Sequence, residues 1–373
     1  MPEKLLILHP ANEMYGADKV LLESVDALSG RFDIEVWLPM DVEYPGNDLS
    51  RELARRNVRY RMVDLPVLRR AYFHPRYAPA LLKRLILTTA AMRRFKPSLV
   101  YVNTAALAPV LPAARLLKAR TVLHLHEYLE GTQRPAVLPF MWFANKIVSV
   151  SLAVSNSLPE LLQRRSTVVF NGFELPRPVG LPAEGELTFV LASRWNTWKG
   201  HSVLLAAWER ANRPDARLLI LGAAPPNGSS VDVPSIVSAL SHPERVTILG
   251  ERADVRAVLD RAHVVLVPSV RPDPLPTIAI EAAAAGRPTM ASHSGGLPEI
   301  VCDGESGWLV PPGDIEAWAR AITMVDADDL PKMSRVARER YEASFTKSAY
   351  RKSLTLFFES LPDSKEPKRN QHS

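Results

Sequence analysis

Cysteine is almost absent from this sequence, because Cys302 is the only one among 373 residues. A single cysteine excludes a disulfide within the chain and is typical of a protein from a reducing compartment. The histidines do not make up for this shortage, since no Cys/His cluster has the spacing of zinc ligands. These absences exclude a disulfide scaffold and a zinc domain.

Long apolar runs are absent as well. No uncharged, apolar stretch reaches the length of about 18 residues that a membrane-spanning helix needs, so none is predicted. The start of the chain, MPEKLLILHPANE, lacks a basic segment followed by an apolar run and a cleavage site, so no signal peptide is expected. We therefore expect a cytoplasmic protein, either free or peripheral on the inner face of the plasma membrane.

The sequence also gives no support for a dinucleotide or a metal as a bound cofactor. The first predicted strand leads into His9-Pro10 and a lone Gly16 instead of G-x-G-x-x-G, which argues against a dinucleotide dehydrogenase. The single Asp-x-Asp, Asp326-Ala327-Asp328, follows a predicted helix, and we expect it to cap the next helix. We therefore expect no metal and no other bound cofactor.

The residues that are present predict two α/β domains. The composition, 47% hydrophobic and 23% charged, is that of an ordinary globular protein, and the length fits two domains. Buried strands alternate with helical patterns in the first half, which predicts a doubly wound sheet. Strands are predicted at 4–10, 34–39, 99–103, 121–125, 147–154 and 167–171, and helices at 17–28, 48–56, 78–95, 106–119, 137–144 and 158–163.

A second series of the same kind begins after a Pro/Gly-rich stretch. We expect a first domain at 1–174, a linker at 175–186, a second domain at 187–345, a helix at 346–362 that returns to the first domain, and a frayed tail at 363–373. Two Rossmann-like domains facing across a cleft follow, with the ligand at the carboxyl ends of their strands.

Basic residues are concentrated between Arg51 and Lys96, where only Glu52 and Asp64 oppose them in sequence. Aromatic and aliphatic residues are interleaved with them, and this mixture favours an anionic lipid surface. A solvated helix face explains the same run equally well. Nucleic acid is a weaker possibility and is not expected, because the segment has no recognised nucleic-acid motif.

The stretch from Val264 to Ala291 predicts an anion site. A buried strand and a proline-rich loop lead into a helix that opens at Thr277, so backbone N–H groups over 275–278 are left for a ligand. Asp273 and Glu281 flank this helix start. Arg194 and Lys199, on the loop after the first strand of the second domain, can neutralise a diphosphate. This combination predicts a nucleotide-sugar ligand.

Four sequence blocks follow one another in the second domain: Arg194…Lys199-Gly200, Asp273-Pro-Leu-Pro-Thr-x3-Glu281-Ala, Gly286-x-Pro288, and the run from Gly295 to Val310. The first domain carries four short motifs: Tyr15-Gly16-Ala17-Asp18, His126-Glu127, Ser155-Asn156-Ser157 and Asn171-Gly172. The four blocks, in this order, resemble the family-4 retaining glycosyltransferases of the GT-B fold. The resemblance runs from about residue 192 to 313, and in the first domain it is weaker and rests on the short motifs.

The resemblance implies a role for each matching residue. Arg194 and Lys199 hold the donor diphosphate, Glu281 the ribose hydroxyls, and Asp273 the hydroxyls of the donor sugar. Gly16 lets a first-domain loop approach the diphosphate, and His126 faces the reacting sugar or the acceptor. The candidate catalytic residues are therefore His126, Asp273, Arg194 and Lys199; the candidate donor-binding residues are Gly16, Arg194, Lys199, Asp273, Pro274, Leu275, Pro276, Thr277 and Glu281.

The expected activity is transfer of a hexose-type sugar from a nucleoside diphosphate to a hydroxyl acceptor, with retention, in polysaccharide or glycolipid assembly. A lipid-linked glycan is the expected kind of acceptor. Two departures from the family pattern, Asp273 in place of a glutamate and a single glycine at Gly16, leave open a non-catalytic nucleotide-sugar-binding subunit.

Overall fold

The computed structural model describes residues 2–14, 16–44, 46–69, 72, 74–131, 133–182, 185–225 and 229–362. It divides into two compact units, the first formed by 1–172 with 347–373 and the second by 173–346. The expected tail at 363–373 lies outside the described residues.

The first unit is built on a parallel sheet of seven strands in the order β3-β2-β1-β4-β5-β6-β7. Its central strands are buried along almost their whole length, as apolar runs without polar alternation predict. The strands are β1 Glu3–Leu8, β2 Phe32–Pro39, β3 Arg59–Val63, β4 Leu99–Val102, β5 Arg120–Leu125, β6 Lys146–Ser149 and β7 Ser166–Val168.

The helices of the first unit follow the strands in a βα series. They are α1 Gly16–Leu28, α2 Asp48–Arg55, α3 Ala78–Phe95, α4 Leu111–Leu116, α5 Gln133–Met141, α6 Leu152–Asn156 and α7 Glu160–Gln163. The helix predicted at 106–119 is a 3-10 helix, Ala105–Val110, followed by the short α4. Pro109 and Pro112 explain the difference, because proline lacks the N–H that a continuous helix needs.

The expected C-terminal helix, α15 at Lys347–Glu359, packs on the first unit. Its apolar face enters the core of that unit, where the ring of Phe358 meets Phe32 and Tyr101 edge-on at 5.9 and 5.5 Å. Tyr350 exchanges a 2.6 Å hydrogen bond with Ser24 of α1. The prediction of a helix that returns to the first domain is confirmed.

The second unit has a parallel sheet of six strands in the order β10-β9-β8-β11-β12-β13. The strands are β8 Leu187–Ala192, β9 Ala216–Leu221, β10 Val246–Gly250, β11 Val264–Val267, β12 Thr289–Ser292 and β13 Gly307–Val310. The helices are α8 His201–Ala211, α9 Val233–Ser238, α10 Val255–Leu259, α11 Thr277–Ala284, α12 Leu297–Ile300, α13 Ile315–Thr323 and α14 Leu330–Ser344. Asp326 caps the 3-10 helix Ala327–Asp329 by accepting a hydrogen bond from Asp328 N.

The segment expected to be a linker is held against the second unit. Arg256 donates hydrogen bonds to the carbonyl oxygens of Pro176 and Arg177, at 2.9 and 2.8 Å. The buried Arg287 donates to Gly180 O at 3.0 Å and to Leu259 O at 2.9 Å. These cationic donors tie the Pro/Gly-rich stretch to α10 and to the segment just before β12.

Among the described residues there is no helix with the length and apolar character that crossing a bilayer requires.

Candidate functional site

The second sheet has a topological switch point between β8 and β11. The chain runs from β8 outward through β9 and β10, then returns to β11 and continues to the other edge. The loops after these two neighbouring strands therefore diverge at the carboxyl edge of the sheet, where ligands of such sheets bind. The two loops are residues 193–199 and 268–276. They contain Arg194, Lys199 and Asp273, three of the residues predicted for the site.

Close backbone packing holds these two loops together. Val270 N donates to Trp198 O at 2.8 Å. Gly200 has φ +79°, and a Cβ atom built on it would lie 1.9 Å from Pro268 O. Only glycine avoids both the strain and the clash at this position. On the far side, Gly296 N donates to Asp273 O at 2.8 Å, so the loop that carries Asp273 is fixed from both directions.

Lys199 and Asp273 form an ion pair with 2.6 Å between Nζ and Oδ2. Both side chains are largely buried, at 18% and 12% exposure, and the ammonium also lies 4.1 Å from the centroid of the Trp198 ring. The family resemblance implies separate roles for these two residues, whereas in the structure they form a pair. Arg194 is exposed, and among the described residues no acid lies within ion-pair distance of it. Arg194 is therefore a cation with which an incoming anion can pair.

The N-terminus of α11 faces the same space. Pro276 precedes the helix without a side-chain cap, and the first intrahelical bond runs from Ala279 N to Pro276 O at 3.2 Å. The N–H groups of Thr277 and Ile278 come before that bond and point toward the positive end of the helix dipole. A cavity of about 430 Å³ brings together this helix start and the charged loops; it is lined by Ala192, Ser193, Arg194, Asn196, Trp198, Lys199, Asp273 and Leu275–Ile278.

In the first unit, His126 stands just beyond β5 at the carboxyl edge of that sheet. Its Nε2 is 3.0 Å from Asn103 Oδ1, and its ring centroid lies 4.0 Å from that of His124. Burial, and next the neighbouring His9, lower the pKa of His126 to about 3. The imidazole is therefore neutral at physiological pH.

The other two first-unit residues singled out by sequence have different surroundings. Glu127 accepts a hydrogen bond from Thr104 Oγ1 at 3.1 Å, and burial raises its pKa. Gly16 is the first residue of α1, and a Cβ atom built there would meet nothing within 4 Å. Packing within the described chain thus gives no reason for glycine at this position, and its predicted role toward a diphosphate stays a prediction. Tyr15 lies outside the described residues.

Comparison with known proteins identifies the second unit. Residues 186–328 match the family model described as glycosyl transferases group 1. This segment is a group 1 glycosyltransferase domain. It contains both loops and the whole of α11.

Curated proteins that are similar in sequence to this chain are also named as glycosyltransferases. The chain is 30% identical over 198 residues to the putative colanic acid biosynthesis glycosyltransferase WcaL of Escherichia coli strain K12. The matched segment covers 50% of this chain and 48% of WcaL. The chain is 36% identical over 171 residues to D-inositol 3-phosphate glycosyltransferase of Mycobacterium sp. strain KMS, covering 44% and 37%. The chain thus matches less than half the length of these relatives.

Solved structures extend the likeness to the whole chain. Anabaena Alr3699/HepE, solved in complex with UDP-glucose, superposes with a TM-score of 0.75 at 20% identity, over 96% of this chain and all of that one. The lipopolysaccharide outer core galactosyltransferase WaaB, apo form, gives 0.78 at 14% identity, over 96% and 99%. At such low identity these likenesses show the fold, which is GT-B, as the sequence predicted.

The glycosyltransferase domain has a second cavity, and the sequence predicted only some of the residues that line it. This cavity, of about 240 Å³, adjoins the first at Arg194 and Thr277, and Glu281 lies in its wall. Glu251 and Arg252, on the loop after β10, form another part of the wall. They belong to no motif, but their position directly after a strand of the sheet is the signal that would have identified them.

The basic segment 51–96 is partly neutralised in space by acids other than Glu52 and Asp64, the two that lie within it. These acids come from outside the segment; their pairs include Arg51–Asp48, Arg56–Asp26, Arg59–Asp33, Arg69–Asp41 and, at 4.0 Å, Arg61–Glu35. Within the segment, Arg84 pairs with Asp64 at 2.8 Å. The cations for which the described residues offer no ion pair cluster on and around α3: Arg76, Lys83, Arg93, Arg94 and Lys96.

Proposed function

We propose that this protein transfers a sugar of the hexose class from a nucleoside diphosphate sugar to a hydroxyl acceptor, with retention of the anomeric configuration. The observation that carries the proposal is the 430 Å³ cavity, in which Arg194, the Lys199–Asp273 pair and the N-terminus of α11 converge. Cations and free N–H groups together bind an anion of high charge density, and a diphosphate is such an anion.

The same groups would favour departure of the diphosphate. Negative charge develops on the leaving group as the glycosidic bond breaks, so the guanidinium of Arg194 and the helix N-terminus would stabilise the transition state more than the bound donor. Lys199 would join them when the diphosphate competes with Asp273 for the ammonium. Asp273 would then be released to accept hydrogen bonds from hydroxyl groups of the donor sugar.

The adjoining cavity suits the nucleoside part of the donor. Glu281 lies one turn into α11 and in the wall of this cavity, and its carboxylate would accept hydrogen bonds from the ribose hydroxyls. HepE was solved with UDP-glucose and WaaB is a galactosyltransferase, so UDP-hexoses are the first donors to test. In this proposal no metal is used, because the cations of the protein carry the charge of the diphosphate.

Donor binding is tested by thermal shift against a panel of nucleoside diphosphate sugars, led by UDP-hexoses. A cognate donor should raise the melting temperature by mass action. Arg194→Ala should weaken its apparent affinity about tenfold to a hundredfold, the loss of one or two charged hydrogen bonds. Arg335→Ala, which removes an exposed arginine of α14, is the matched control and should bind as wild type does. Equal donor affinity in both variants would show that Arg194 does not bind the donor.

We propose further that α3 places the protein on an anionic membrane, where a lipid-linked acceptor resides. Leu82, Ile86 and Leu87 are 58%, 59% and 50% exposed. At helical spacing they share one face with the unpaired Lys83, Arg93 and Arg94, whereas Thr88 and Met92 are buried on the opposite face. Such a mixed face lies in the lipid interface, where each basic residue contributes about 1 kcal/mol.

Liposome flotation tests this surface. Wild-type protein should float with vesicles that contain anionic lipid and remain behind with neutral ones. Leu82→Ser combined with Ile86→Ser should abolish flotation, because it removes the apolar part of the face. Leu161→Ser, at a 57% exposed leucine of α7, is the matched control and should float normally. Flotation that is independent of anionic lipid, or unchanged in the double variant, would refute the membrane role of α3.

A further inference from the structure

Three neighbouring strands of the first sheet end in polar residues that form one hydrogen-bonded chain. His9 follows β1, Asn103 follows β4 and His126 follows β5. Asn103 Nδ2 lies 2.9 Å from His9 Nδ1, and Asn103 Oδ1 lies 3.0 Å from His126 Nε2. At the other end, His9 Nε2 lies 2.7 Å from the carboxylate of Asp18, in the first turn of α1. Asp18, His9 and Asn103 are buried, at 3%, 1% and 1% exposure.

The chemistry of the members fixes the direction of this chain. A carboxylate only accepts hydrogen bonds, so His9 donates to Asp18 through Nε2–H. The Nδ1 atom of a neutral His9 then carries a lone pair and accepts from the amide of Asn103. This orients Asn103 so that its oxygen accepts from His126, which must therefore hold its proton on Nε2.

One atom is left over at the end of the chain. With the proton on Nε2, His126 Nδ1 is an acceptor, and in the described part of the chain this buried atom has no hydrogen-bond partner. An unsatisfied buried acceptor destabilises the folded protein. A hydroxyl group that donates to Nδ1 would recover the lost free energy, whereas a ligand group that can only accept would be repelled.

The hydrogen-bonded chain lies at the carboxyl edge of the first sheet, where open α/β sheets generally bind ligands. In the order β3-β2-β1-β4-β5-β6-β7 the chain direction reverses between β1 and β4, so His9 and Asn103 flank the topological switch point. The neighbouring His124 is engaged elsewhere, since its Nδ1 takes the 2.5 Å hydrogen bond with Tyr101. The hydrogen-bonded chain that begins at Asp18 therefore ends at His126 and does not continue to His124.

We propose that Asp18, His9 and Asn103 are positioning residues that hold His126 as the Nε2–H tautomer, with Nδ1 as the acceptor for a hydroxyl group of the sugar or the acceptor substrate. The inference rests on the proposed function for the identity of that ligand. The tautomer itself does not depend on activity and can be measured separately.

Nitrogen-15 NMR of histidine-labelled protein reads the tautomer directly. The signals of His126 are assigned by their loss in His126→Gln. Wild type should show a proton coupled to Nε2 of His126 and none on Nδ1. Asn103→Leu should abolish the single tautomer. Asp18→Asn is a second variant, and it should also weaken the preference, because an amide can donate as well as accept.

Tyr101→Phe is the matched control, because it changes a fully buried residue of the same strand and removes a hydrogen bond to His124 rather than to the chain. The tautomer of His126 should survive in it. In the donor-turnover assay, Asn103→Leu should lower kcat about tenfold, which is the effect of one misplaced hydrogen bond, with a smaller change in the KM for the donor.

The outcomes separate the two proposals. A proton on Nδ1 of His126 in wild type, or an unchanged tautomer in Asn103→Leu, would overturn the positioning chain and leave the transfer reaction untouched. The expected tautomer in a protein that neither binds nor turns over any nucleotide-sugar would support the chain and reject the proposed reaction.

Discussion

At the scale of single residues, the donor site depends on backbone shape as much as on charge. Gly200 lets the loop after β8 touch Pro268, and this contact places Lys199 beside Asp273. The sequence predicted the charged residues because anion chemistry restricts their type. It did not predict that Lys199 and Asp273 would pair, because a contact between residues 74 positions apart depends on how two loops pack.

Gly200→Ala should therefore cost more than glycine substitutions at positive-φ positions where a Cβ atom would meet nothing within 4 Å. It combines a left-handed backbone with a clash against Pro268 O, and we expect a loss of about 3 kcal/mol or more. Gly250→Ala is the control: Gly250 has φ +70°, but a Cβ there meets nothing within 4 Å, so about 1 kcal/mol is expected. Chemical denaturation measures both, and equal losses would mean that the loop contact is unimportant for stability.

At the scale of elements, α15 shows how a helix distant in sequence completes a core. Tyr350, Leu354, Phe357 and Phe358 are buried among α1 and the first strands, while Leu356 on the same helix is 56% exposed. The apolar spacing predicted both the helix and its return. The edge strand β3 was missed because its residues are mostly exposed and carry no apolar run.

Two leucines of α15 give a matched test of this packing. Leu354→Ala should destabilise the first unit by about 2–5 kcal/mol, since it leaves a cavity in a packed core. Leu356→Ala removes the same atoms at a solvent-exposed position and should change stability by no more than about 0.5 kcal/mol. Denaturation of the full chain gives both values. A small loss for Leu354→Ala would show that α15 is not part of the cooperative core.

At the scale of the whole molecule, most of the fold could be predicted and the surface could not. Buried parallel strands are apolar throughout, so apolar runs that alternate with helical patterns were enough to predict the two βα series. The charge distribution of 51–96 was misjudged because Asp26, Asp33 and Asp41 reach it only in the folded chain. The chain Asp18–His9–Asn103–His126 was hidden for the same reason, since three separate strand ends have to meet.

Sugar transfer is tested by measuring the release of the nucleoside diphosphate from a cognate donor at saturating concentration, first without an acceptor. We expect slow hydrolysis by wild type and by the Arg335→Ala control, and a loss of about a hundredfold or more in Arg194→Ala, because its guanidinium stabilises the leaving diphosphate. A donor that stabilises the protein but is never consumed, even with acceptor-bearing membranes present, would contradict catalysis and favour a nucleotide-sugar-binding subunit.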